Sequence, residues 1–148
     1  MKKFLILYYL ILSSAWSQTV TYHKEGDSPI QGYLALPKGK GPAPGIILIH
    51  EWWGLNDDIR EKANHFAKQG YAALAVDLYH GGSTDKASEA RQLAGAVRED
   101  MEGAFTNLSA ALDYLKNQPS VDEKRLASIG WCFGGGWSYQ IAKNNLGV

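Results

Sequence analysis

The chain has 148 residues, 45% of them hydrophobic and 20% charged, with 15 basic and 15 acidic side chains. That mix belongs to a globular domain and excludes a collagen-like repeat, an acidic solvating tail and a low-complexity linker. Without Lys2 and Lys3, which lie in a segment expected to be removed, 13 basic residues face 15 acidic ones, so no basic footprint invites nucleic acid. A single cysteine, Cys132, rules out an internal disulfide. No Cys/His cluster has zinc-ligand spacing, and the sequence implies no metal or organic cofactor.

At the N-terminus, two lysines precede a nine-residue apolar run, Phe4–Leu12, and small residues follow as far as Ser17. This predicts a secretory signal peptide over 1–17, because the run is well short of the ~20 residues that span a bilayer. The mature domain, 18–148, is then periplasmic or secreted, with no membrane attachment. An unpaired thiol in an oxidising compartment is either buried and inert or kept free because it reacts.

Residues 33–36 predict a short early strand, ended by the turn-rich segment 37–42. Gly45–Ile49 is continuously apolar and predicts a strand buried on both faces. A helix follows, capped by Asp57 or Asp58 with Glu61 in capping-box register. It carries Ile59, Ala63, Phe66 and Ala67 on one face and stops at Gly70. Tyr71–Leu78 predicts the next buried strand, 81–85 a loop and 86–97 a weaker helix. The clearest helix is 101–116, with Met101, Ala104, Phe105, Leu108, Ala111, Leu112 and Leu115 at three- and four-residue steps, ended ahead of Pro119. Residues 120–125 read as a polar connection, 126–130 as a strand, and Trp137 onward as a helix. Strands alternating with helices through short links imply one α/β domain, a parallel-rich sheet with helices on both faces.

Gly130-Trp131-Cys132-Phe133-Gly134 has the form G-x-nucleophile-x-G, set between a strand and a helix. Glycines at both ends let strand and helix approach closely around a strained bend. The helix N-terminus beyond it favours a thiolate, and the Phe133 N–H lies where half of an oxyanion hole is needed. The plainer alternative is a glycine-rich turn holding a buried cysteine. His50-Glu51-Trp52-Trp53-Gly54 directly follows the strand 45–49. Both motifs therefore lie at carboxyl ends of strands, where open α/β sheets bind ligands.

Taken together, His50–Asn56, Asp77-Leu78-Tyr79 and Gly130–Gly135 resemble the dienelactone hydrolase family of α/β-hydrolases, over residues 30–145. The resemblance implies an α/β-hydrolase fold and hydrolysis of a small-molecule ester or lactone. It implies Cys132 as the nucleophile and the N–H groups of Trp52 and Phe133 as the oxyanion hole. Glu51 matches the carboxylate that meets the resting thiol and helps to generate thiolate. A carboxylate beside a thiol disfavours thiolate, so Glu51 has to take the proton or move away; its alternative role is a strand-end ion pair with Arg60 or Lys62. Trp53 and Tyr79 are candidates for an aromatic substrate wall. Family members that bind carboxylated lactones carry an arginine shortly after Asp-Leu-Tyr. Here His80-Gly81-Gly82 stands in that place, which favours a broader carboxylester substrate unless Arg91 or Arg98 substitutes.

Only 16 residues follow Cys132, and none is His, Asp or Glu, whereas the order in this fold is nucleophile, acid, histidine. All four histidines, His23, His50, His65 and His80, precede the cysteine; His50 and His80 sit at strand ends near the pocket. The expectation is the N-terminal part of a hydrolase domain missing its C-terminal strands, inactive as it stands, with an open sheet edge. Two other functions stay open: a non-catalytic hydrolase-like binding scaffold, and a redox-reactive thiol protein.

Overall fold

The computed structural model describes residues 16–39 and 41–148, so the expected leader, apart from Trp16 and Ser17, lies outside the described residues. The elements run β1 (Trp16–Glu25), β2 (Ser28–Leu36), β3 (Ala43–Ile49), α1 (Asp57–Lys68), β4 (Ala72–Val76), α2 (Ala87–Glu99), α3 (Met101–Lys116), β5 (Val121–Gly130) and α4 (Phe133–Lys143). They form a five-stranded sheet in the order β1-β2-β4-β3-β5. Strands β4, β3 and β5 are parallel, and β1 and β2 extend them antiparallel. The α/β-hydrolase expectation holds for this sheet and its helices.

The two faces follow from side-chain alternation along the central strands. Ile47 and Ile49 of β3, with Leu74 and Val76 of β4, pack under Leu108, Leu112 and Leu115 of α3 and Trp137 and Ile141 of α4. Ile46 and Leu48, with Ala73 and Ala75, face Ile59, Ala63 and Ala67 of α1. Alanines on both sides of that second contact let α1 lie close to the sheet. Both faces of β3 and β4 are thus covered, which is why these strands read as unbroken apolar runs. Among the described residues, no helix is long and apolar enough to cross a membrane.

Four local expectations change. The hairpin β1–β2 was not anticipated as two strands: Val20 and Tyr22 alternate with exposed neighbours, and Gly26-Asp27 forms the two-residue turn between the paired Glu25 and Ser28. Gly26 carries φ 58°, a hand that suits hairpin twist. The α1 cap is Asn56, not Asp57 or Asp58. Its extended backbone lets its Oδ1 accept the Ile59 N–H at 3.2 Å, while the two aspartates fall in the first turn and pair with Arg60 and Lys62. Residues 121–125 belong to β5, with a register break between Pro44–Asp122 and Gly45–Leu126 that throws 123–125 outward. Finally, α4 begins at Phe133, because Gly134–Gly136 are helical rather than part of the turn.

Candidate active site

Central strand β3 sets the site. Ile49 is paired with Val76 on one side and Gly130 on the other. The loops that follow, 50–56, 77–86 and 131–132, therefore leave the sheet at one level. The three sequence motifs meet because their strands are neighbours in register.

At the end of β5 the chain turns through Cys132, whose φ of 51° and ψ of −112° are unusual for a residue with a Cβ. Tight packing enforces that bend. A Cβ on Gly134 would stand 2.2 Å from the Ile49 carbonyl oxygen, and one on Gly130 2.2 Å from the Gly134 carbonyl. The Gly134 N–H donates to the Trp131 carbonyl and the Gly135 N–H to that of Cys132, starting α4 at once. The Phe133 N–H is spent on no backbone acceptor among the described residues, and neither is the Trp52 N–H. The Cys132 side chain is exposed, so the buried-cysteine alternative is excluded. It opens onto a cleft of about 460 Å³ lined by Arg98, Met101, Phe133, Trp137 and Gln140.

His50 lies fully buried at the start of the 50–56 loop. Its Nδ1 donates to the Glu51 carbonyl at 2.6 Å, and its Nε2 accepts the Leu78 N–H at 3.2 Å. One neutral tautomer satisfies both partners. Burial, opposed by the Glu51 carbonyl and by the Asp77 carboxylate 3.9 Å from Nε2, lowers its pKa below the ordinary 6.5. The ring stacks on Phe133 at 5.7 Å and meets Tyr79 edge-on at 4.5 Å. With both nitrogens engaged, His50 has no lone pair to offer as a base; it is an internal strut.

The 77–86 loop is ordered by Asp77, whose carboxylate accepts the Tyr79 and Gly81 N–H groups. The Asp77 backbone is held in turn. Its N–H donates to the Tyr22 hydroxyl, its carbonyl accepts Asn107 Nδ2, and the Tyr22 hydroxyl donates to Asn107 Oδ1 at 2.7 Å. Sequence reasoning missed Tyr22 and Asn107 as supports. The readable signal was a polar residue at position 107, in step with Ala104, Leu108 and Ala111 on the apolar face of α3. Tyr79 donates its hydroxyl to the Trp52 carbonyl at 3.1 Å, and burial raises its pKa to about 12, so it is a phenol. At 8% exposure, Tyr79 is buried and is not among the residues that line the Cys132 cleft, although its hydroxyl feels the charges of both Arg98 and Cys132. The 52–54 stretch is pinned further by the Thr84 N–H on the Trp53 carbonyl and by the Gly54–Ser83 bridge.

Glu51 and Trp53 are half-buried in that loop, with the Trp53 ring edge-on to Trp52 at 4.8 Å. The ion pair offered to Glu51 by Arg60 or Lys62 is not formed, because those cations engage Asp57 and Asp58. Arg98 reaches the cleft with its guanidinium 5.6 Å from the Phe133 ring centre; Arg91 is exposed and does not line it. His80 pairs with Glu25 at 3.1 Å, and exposed His65 bonds to Gln69. Among the described residues, no cluster of three or more His, Cys, Asp or Glu could hold a metal ion.

Comparison with known proteins identifies the family and the fold. The model of the dienelactone hydrolase family matches residues 30–148. Protein usf of Aquifex pyrophilus is 36% identical over 129 residues, covering 84% of this chain and 54% of its own. A carboxymethylenebutenolidase of Pseudomonas putida is 34% identical over 119 residues, covering 75% and 50%. Among solved structures, a dienelactone hydrolase-like promiscuous phosphotriesterase from metagenomic libraries superposes with a TM-score of 0.78 at 33% identity, covering 88% of this chain and 55% of that one. The chain thus spans about half the length of the relatives it matches. A match over most of the chain, on a fold whose three loop motifs converge, places it in the dienelactone hydrolase family.

Proposed function

We propose that the chain carries the nucleophile half of an esterase or lactonase that works through a cysteine. The Cys132 thiolate attacks the carbonyl carbon of the ester, a C–S bond forms, and the carbonyl electron pair moves onto oxygen. The Trp52 and Phe133 N–H groups receive that oxyanion. Collapse expels the alkoxide or phenolate and leaves a thioester on Cys132. Glu51, which pairs with no cation among the described residues, takes the thiol proton as substrate arrives, and Trp53 supplies an aromatic wall beside it. The observation that carries this reading is the positive φ of Cys132, held between two glycines that tolerate no Cβ; strain of this kind concentrates at functional sites.

Hydrolysis of the thioester needs a base to activate water. No His, Asp or Glu follows Cys132, and His50 is committed elsewhere. The acid and histidine then come from the half of the relatives' length that this chain does not match. In this proposal the chain is exported behind a cleaved leader, and its substrates are neutral and anionic carboxylic esters, the latter helped by Arg98 at the cleft.

With p-nitrophenyl acetate, the 148-residue chain should release about one p-nitrophenolate per molecule and then stop, leaving an acetyl group on Cys132 detectable by mass. Cys132→Ala should abolish the burst. An undiminished burst in that variant rejects the reading. Peroxide oxidation of Cys132 with no acylation favours the redox alternative, and neither reaction favours a binding scaffold.

A further inference from the structure

We propose that His50 and Tyr79 are positioning residues which clamp the two peptide groups flanking the Trp52 α-carbon and so aim the Trp52 N–H at the reacting oxygen. This rests on the hydrolase reading above. A peptide group is planar and trans, so fixing its carbonyl fixes its N–H in the opposite direction. The carbonyl that shares a peptide with the Trp52 N–H is that of Glu51, and it accepts both His50 Nδ1–H at 2.6 Å and the Gly54 N–H at 3.3 Å. The next carbonyl along, that of Trp52, accepts the Tyr79 hydroxyl. Neither plane can flip without breaking a side-chain hydrogen bond.

The clamp is itself held rigidly. The Leu78 N–H on Nε2 leaves His50 only the tautomer that donates from Nδ1. The rings of Tyr79 and Phe133 fix its plane. Leu78 and Tyr79 follow Asp77, whose backbone is locked by Tyr22 and Asn107. Donation into the Glu51 carbonyl also polarises that amide, making its N–H a stronger donor. Phe133 joins the two halves of the hole, since its N–H is the other proposed donor and its ring stacks on the histidine.

The experiment compares two reactions of the same thiol. Acylation by p-nitrophenyl acetate builds an oxyanion; alkylation by iodoacetamide displaces iodide and builds none. Tyr79→Phe, which removes one hydroxyl from an otherwise unchanged ring, should slow acylation about tenfold, and His50→Leu about a hundredfold, with alkylation within about threefold of the parent. His50→Asn, whose amide nitrogen stands close to where Nδ1 stood, should recover most of the loss. The clamp is overturned if acylation and alkylation fall in proportion, or if Tyr79→Phe acylates at the parent rate. A parent chain that is alkylated but never acylated removes the hydrolase reading and the clamp together, whereas an acylating parent with indifferent variants removes the clamp alone.

Discussion

His50 shows how one side chain's surroundings decide its chemistry. At the end of a buried strand and stacked on Phe133, the residue after the candidate nucleophile, it has the composition of a base. Buried between Tyr79 and Phe133, with an N–H entering one nitrogen and the Glu51 carbonyl on the other, it is a neutral hydrogen-bonding link. Neutrality has a stability consequence. The folded protein holds the His50 proton less well than the unfolded chain, whose histidine titrates near 6.5. Below that pH, and down to the depressed folded value, the unfolded chain binds the extra proton, so stability falls as pH falls. Urea unfolding between pH 7 and 5 should show a contribution of up to about 1.4 kcal/mol per pH unit. His50→Asn should remove that contribution, and an unchanged slope in the variant would refute a buried neutral histidine.

Elements meet at the elbow through absent side chains. Helix α4 approaches β3 and β5 only because Gly130 and Gly134 lack a Cβ; that approach puts the first turn of the helix beneath Cys132. Gly134→Ala would press its new methyl on the Ile49 and His50 carbonyls, both backbone atoms that cannot swing aside. It should cost about 3 kcal/mol in denaturant unfolding. Gly136, in the same helix turn, has open space around it, and Gly136→Ala should be neutral or stabilise by up to about 1 kcal/mol. Equal gains at the two positions would show that helix propensity, not close approach, governs the elbow.

Across the molecule, the parallel strands gather the chemistry at one end of the sheet, while the β1–β2 hairpin builds out the opposite edge. Among the described residues, β5 has β3 on one side only, and its Leu126 and Ile129 are half-buried. The proposed export also acts at this scale. Removing residues 1–17 would trim Trp16 and Ser17 from β1, two positions whose partners are Leu36 and Ala35. The rest of the hairpin, with Val20 and Tyr22 in the core, would remain. N-terminal sequencing of the protein from the exported fraction should therefore begin at Gln18; a cytoplasmic chain still starting at Met1 would contradict export.

Periodicity and punctuation in the sequence determined the apolar strands β3 and β4, the helix α3 to the residue, and the strand–turn–helix setting of Cys132, because each depends on neighbours within about one turn or one strand. The β1–β2 hairpin was written there too, in the alternation around Val20 and Tyr22 and in Gly26-Asp27. Contacts between distant residues decided the rest. Asn56 rather than Asp57 or Asp58 caps α1, since the direction of the incoming loop sets which side chain reaches the Ile59 N–H. Asn107 and Tyr22, 85 residues apart, became partners only when α3 was laid across β1. The tautomer of His50 depends on Leu78, a residue of the neighbouring strand's loop. A sequence specifies which groups are available to bond; the order of strands in the sheet selects the partners that saturate them, and with them which histidine holds a proton less readily than it would in water.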